Sequence, residues 1–184
     1  MKPTMIVFMG GQGSGKGTFA HKLLETHDYN YIEMGAILRQ LPESSELRKK
    51  IMSGELAKDE ELFPIISQYI TIDKDIIVDG YPRTIGQAEW LIDNFADKFD
   101  IKVVFLNISE DTMIAHIKNR IKEGGNRADD ADENAVHKRI ESFKTITMPA
   151  IDWLSTLDNV KFYDIHLPSD DIDINFAHIK KAIK

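Results

Sequence analysis

Cysteine is absent from the 184-residue chain, which excludes disulfides and thiolate metal sites and fits a reducing compartment. The apolar stretch near Met1 runs for only about five residues before glycines interrupt it, less than a secretion signal or a membrane span needs. A cytoplasmic protein with no membrane partner is therefore expected. Basic charge is also in deficit, the net charge being -7, and this argues against nucleic acid and anionic lipid as partners. The six histidines (21, 27, 116, 137, 166 and 178) are dispersed, and none forms a ligand spacing with carboxylates. Arginine is scarce, six of 23 basic residues, but five of the six (Arg39, Arg83, Arg120, Arg127, Arg139) fall in segments singled out below. Its planar fork suits phosphate in a way that lysine does not, so an anion-binding cleft in an otherwise acidic protein is expected. The hydrophobic fraction, 42%, and the length suit one globular domain with small appendages.

The stretch Gly10-Gly11-Gln12-Gly13-Ser14-Gly15-Lys16-Gly17-Thr18 follows an apolar run, Met5 to Phe8, and precedes a helical pattern in which Phe19/Leu23 and Ala20/Leu24 repeat. Glycines there let several N–H groups approach phosphate oxygens, and the new helix presents its partly positive end to the same anion. Lys16 adds a mobile charge. The usual spacing of a phosphate-binding loop runs from Gly10 to Gly15-Lys16, except that Gly17 intervenes before the hydroxyl of Thr18. A glycine-rich turn with no ligand is the bland alternative, but it does not explain a lysine at that place between strand and helix.

Further strands are predicted at 29–33, 76–79, 103–108 and 161–165, alternating with helical patterns. Such alternation implies a parallel sheet covered on both faces, with ligands at the carboxyl ends of the strands. About 35 residues separate the second and third strands, more than a crossover needs, and part of them is read as a small helical flap. Within it Leu56 to Ile72 reads as helical, with Asp59, Glu60 and Glu61 near its start, where they complement the helix dipole. Met113, Ile114, Ile117 and Ile121 mark the helix after the fourth strand. Val136, Ile140 and Phe143 mark another, which carries Arg139 and which Pro149 kinks or interrupts. Ile172, Phe176, Ile179 and Ile183 define a terminal amphipathic helix. Between Glu123 and Asp132 the chain turns polar, which in isolation reads as a solvated turn.

The loop G-G-x-G-S-G-K-G-T closely resembles that of adenylate kinases and their nucleoside monophosphate kinase relatives, with Gln12 where they usually carry proline. Asp79-Gly80-Tyr81-Pro82-Arg83-Thr84 with Gln87-Ala88 resembles the same family. So do the Gly35-to-Arg39 segment, the Gly54-Glu55-Leu56 turn, Arg127-Ala128-Asp129-Asp130 and Arg139, all in the correct order. The resemblance implies a phosphate-loop α/β fold with a five-stranded parallel sheet, a monophosphate-binding flap over about 34–72, and a short lid over about 123–132. The core would then be 1–33, 73–122 and 133–184. It further implies phosphoryl transfer from MgATP to a monophosphate, with magnesium as cofactor, no zinc, and a monomer. By the same resemblance Gly13, Ser14, Gly15, Lys16, Gly17, Thr18 and Arg120 would hold ATP. Met34, Gly35, Arg39, Glu55, Leu56, Ala57, Gly80, Tyr81, Arg83 and Gln87 would hold the acceptor. Asp79 would orient hydrated magnesium, and Arg83, Arg127 and Arg139 would act with Lys16 on the reacting phosphates, the last two arginines also touching the acceptor. Three positions depart from the pattern. Met34 stands for the usual threonine, Ala36 for the usual aspartate, and Gly124 for a second lid-side arginine, with Lys122 as the nearest charge. AMP is the acceptor that Gln87 and Thr84 favour; UMP or CMP, or a nucleotide-binding regulator without transfer activity, are the alternatives.

Overall fold

The computed structural model describes residues 2–124 and 133–184. Its centre is a parallel five-stranded sheet of order β2-β3-β1-β4-β5, with β1 (Thr4–Met9), β2 (Asn30–Glu33), β3 (Ile76–Asp79), β4 (Asp100–Asn107) and β5 (Lys161–His166). The middle strand β1 is buried on both sides, and its side chains alternate between two cores as the strand's period of two requires. Met5, Val7 and Met9 join one core; Ile6 and Phe8 join the other, against α1 (Lys16–Leu24) and α9 (Ile172–Ala182). Each such side chain contributes roughly 1.5–3 kcal/mol on burial.

The chain leaves β1 toward β2 on one side and leaves β3 toward β4 on the other. The connections diverge between β1 and β3, and that is where an open parallel sheet forms its crevice. Register places Phe8 beside Asp79 and Glu33 beside Asp79, so the loop after β1 and two carboxylates meet at one edge of the sheet.

Three helices fill the long connection: α2 (Met34–Arg39), α3 (Glu46–Met52) and α4 (Asp59–Ile66). They do not form a core of their own. Leu38, Ala57, Leu62, Ile66 and Ile70 pack into the same cluster as Met5, Val7 and Met9. The helix α4 is shorter than predicted, ending at Ile66 just past Pro64, whose ring removes a donor from the helical ladder; Tyr69 and Ile72 beyond it are exposed. Strand β4 begins three residues earlier than predicted, because Asp100, Ile101 and Lys102 pair with Thr4, Met5 and Ile6 despite their polar spacing.

On the other side of β3, α5 (Ile85–Phe95) leads to β4, and α6 (Glu110–Lys122) follows it. In α6 Met113 and Ile117 are buried, but Ile121, counted with them from its spacing, lies exposed in the last turn. The interruption expected at Pro149 is a π-helical turn over 143–147, between α7 (Glu133–Ser142) and α8 (Met148–Ser155). Pro149 sits in the first turn of α8, directly after the π-helical turn. The terminal helix α9 is as expected except that Ile172 is 48% exposed. Among the described residues no helix is long and apolar enough to cross a membrane.

Candidate active site

Main chain builds one side of the crevice. Gly13 has φ +80°, and a β-carbon there would lie 2.8 Å from the carbonyl oxygen of Met113, so both conformation and space demand glycine. Lys16 Nζ folds back across the turn and donates to the carbonyl oxygens of Gly10 at 2.8 Å and Gly11 at 2.9 Å, and to Ser14 Oγ at 3.3 Å. The ammonium thus lies over the same surface toward which the start of α1 directs its N–H groups. His116 Nδ1 is 2.8 Å from Gly13 O, and His21 Nδ1 is 2.7 Å from Gly17 O. A carbonyl only accepts, so each imidazole presents N–H.

Asp79 ends β3 and is 5% exposed. Tyr31, two residues before the end of β2, donates its hydroxyl to Asp79 Oδ2 at 3.2 Å, and its ring meets His21 edge to face at 5.2 Å. The carboxylate lies beside the first turn of α1, its Oδ2 3.6 Å from where a Gly17 β-carbon would be.

Side chains build the other side. Arg39 at the end of α2 donates from Nη2 to Glu33 Oε1 at 2.9 Å, and its guanidinium lies so close over Gly35 that a β-carbon there would meet Nη1 at 2.9 Å. Arg83 Nε donates to Gly80 O at 3.0 Å. Gln87, in the first turn of α5, is 1% exposed, accepts from Arg83 N at 2.7 Å and donates to Asp59 Oδ1 at 2.9 Å. Thr84 caps that helix, accepting from Gln87 N at 3.1 Å while donating to Asp59 Oδ1 at 2.8 Å.

These parts enclose one cleft of about 420 Å³, within the range of small-molecule sites. Lys16, Arg39, Arg83, Arg120 and Arg139 line it, against Glu33, Glu55 and Asp79. In a chain of net charge -7, that concentration of cations focuses anions. Gly13, Gly15, Gly17 and Thr18 of the loop line it as well, with Met34, Gly35, Leu56, Ala57, Gly80 and Gln87. The π-helical turn contributes Phe143 and Thr147, one turn beyond Arg139.

Two of the described site residues from the sequence lie elsewhere. Ser14 is buried behind the loop, its hydroxyl receiving Lys16. Tyr81 belongs to the core, with its ring edge against Trp90 and its hydroxyl toward Gln87 O at 3.4 Å. Burial, and then the charge of Asp59, push its phenol well above the usual range, so it stays a donor at any working pH. Tyr81 does not line the cleft. Arg127 and most of the segment 123–132 lie outside the described residues. Gly124, at the end of α6, has φ +76°. Glu33 and His21 also line the cleft, and Tyr31, Asp59 and His116 hold residues that line it; the sequence assigns none of them a role in the site. Glu33 carried a signal in standing next to the acceptor segment. In the sequence His21 and His116 read only as possible metal ligands and Asp59 only as a helix-dipole residue, and nothing marks Tyr31.

A family model described as adenylate kinase matches residues 8–159. An adenylate kinase of Bacteroides thetaiotaomicron is 35% identical over 97% of this chain and 97% of its own. One of Phocaeicola vulgatus is 34% identical over the same shares. Adenylate kinase isoenzyme 1 of Cyprinus carpio is 31% identical over 100% of this chain and 96% of its own.

Proposed function

The chain belongs to the adenylate kinase family, and we propose that it transfers the γ-phosphoryl group of ATP reversibly to AMP, giving two molecules of ADP. The observation that carries this reading is the cleft itself. Five cations converge between a glycine loop on one side and a buried glutamine amide on the other.

An oxygen of the acceptor's phosphate attacks the γ-phosphorus in line, and the bond to the β,γ-bridging oxygen breaks. No protein nucleophile is required, so the chain's work is positioning and charge neutralisation. Lys16, the loop N–H groups from Gly13 to Thr18, and Arg120 hold the donor. Arg39 and Arg83 hold the acceptor's phosphate. Arg139 neutralises the transferring group, together with Arg127 in a short lid over about 123–132, a role that rests on the sequence alone. Lid closure over the flap formed by about 34–72 would exclude water, which otherwise accepts the phosphoryl group.

The oxygen donors fit a magnesium ion that arrives with ATP. The Thr18 hydroxyl beside the loop would offer the ion a hard oxygen, and among the described residues no group of three or more acidic or histidine side chains forms a resident metal site. Asp79 would hold the ion through water, with Tyr31 orienting the carboxylate. The ion supplies neutralisation of phosphate charge when bound. A monomer acting in the cytoplasm completes the reading, supported by the absence of cysteine and the short lid.

The test is ADP formation from MgATP with AMP, UMP, CMP and GMP offered singly. Turnover is expected with AMP foremost, and Gln87→Ala should raise the KM for AMP about tenfold, the value of one lost hydrogen-bonding group. Preference for a pyrimidine monophosphate would move the substrate within the same mechanism. Binding of nucleotides without turnover would overturn the enzymatic reading.

A further inference from the structure

We propose that Asp59 is a positioning residue that fixes the sense of the Gln87 amide and thereby makes the acceptor site choose a 6-aminopurine over a 6-oxopurine. The inference rests on the reading of Gln87 as the residue that meets the acceptor's base.

An amide is nearly symmetric in shape but not in chemistry, since one end only accepts and the other only donates. Left to itself it could present either sense to a base. Here both ends are committed. Gln87 Nε2 faces Asp59 Oδ1 at 2.9 Å, and Gln87 Oε1 faces the N–H of Arg83 at 2.7 Å. A carboxylate accepts only and a main-chain N–H donates only, so the partners dictate the orientation. Turning the amide over would set oxygen against oxygen at Asp59 and donor against donor at Arg83. In a side chain that is 1% exposed, water cannot relieve either mismatch.

What remains for a ligand is one hydrogen on Nε2 and one lone pair on Oε1. Adenine offers N1 as acceptor and its 6-amino group as donor, which match that pair. A 6-oxopurine in the same pose offers N1–H as donor and O6 as acceptor, which match only the inverted amide.

The carboxylate is itself held. Asp59 begins α4 and receives the hydroxyl of Thr84 at 2.8 Å. On the facing helix Gly86 leaves room for it, since a β-carbon at that position would clash with Asp59 Oδ2. A residue of the flap connection thus reaches across to the helix that carries Gln87.

The experiment measures kcat/KM for AMP and for IMP, with MgATP, on wild type, Asp59→Asn, Gly86→Ala and Gln87→Ala. Asparagine keeps the size of the side chain but offers a donor as well as an acceptor, which removes one of the two mismatches of the inverted amide. The AMP:IMP ratio should fall about tenfold in Asp59→Asn, the value of one hydrogen bond. Gly86→Ala, which displaces the carboxylate without changing it, should lower the ratio in the same direction. The KM for ATP should stay near wild type in both. Because each ratio is taken on one preparation, any unfolded fraction cancels. An unchanged AMP:IMP ratio in both variants, alongside a raised KM for AMP in Gln87→Ala, would overturn the role of Asp59 alone. An unaltered KM for AMP in Gln87→Ala would overturn the reading beneath it.

Discussion

The two sides of the cleft are made of different material. On the side we propose for the donor the surface is main chain, a run of glycines closed by Lys16, with His21 and His116 bonded to carbonyls of the same loop and helix start. On the acceptor side it is a set of side chains from β2, α2, α4 and α5 that hold one another in place. The first kind of surface recognises phosphate, which is common to every nucleotide. The second would recognise what differs between nucleotides, and Met34 stands in it.

If this division is sound, changes on the donor side should abolish transfer without altering the choice of acceptor. Lys16→Ala is expected to lower kcat by about a thousandfold or more, roughly 4 kcal/mol of lost charge stabilisation, with the melting temperature within a few degrees of wild type. Turnover near wild type in the folded variant would break the comparison at its strongest point. Arg83 belongs to the acceptor side, bonded to Gly80 and Gln87. Arg83→Ala should reduce kcat/KM for AMP by about a hundredfold or more, read by the same assay.

Met34 sharpens the acceptor half. It is 1% exposed and packed in the core while also lining the cleft. Met34→Thr should destabilise the fold by about 1–3 kcal/mol in denaturant titration, through a cavity and a buried hydroxyl. Base choice should remain with Gln87, so the ranking of acceptors should not change. A new ranking would place selectivity at position 34.

Glu33 should give the smallest effect. Its carboxylate competes with phosphate for Arg39, and both side chains are about three-quarters buried. Glu33→Gln should lower the KM for AMP about two- to fivefold, in keeping with a modest ion pair. A raised KM would mean instead that Glu33 holds Arg39 ready for the acceptor.

The same division explains what could be read from the sequence. The phosphate loop, the buried strands β1 and β3 and the terminal carboxylate Asp79 are local patterns, because spacing along the chain determines them directly. The bond between Asp59 and Gln87 joins residues 28 apart, and Asp59 reads along the chain only as an acid suited to a helix start. The hydroxyl of Tyr31 reaches Asp79 across 48 residues, and nothing in its neighbourhood announces it. Helix periodicity named faces correctly in mid-helix, at Met113 and Ile117, and failed at the ends, at Ile121 and Ile172, where the neighbouring element no longer covers the stripe. Strand β4 began early because pairing with β1 outweighed the polar character of Asp100 and Lys102.

The most direct test of the account uses a single nucleotide. Purified protein is given ADP and magnesium alone, and phosphorus NMR follows the products. An enzyme whose donor side takes one ADP and whose acceptor side takes the other must form ATP and AMP in equal amounts until equilibrium. Equal appearance of the two, abolished by Lys16→Ala, is the expected result. Phosphate release without AMP, or no change in ADP while the folded protein still binds it, would contradict the account.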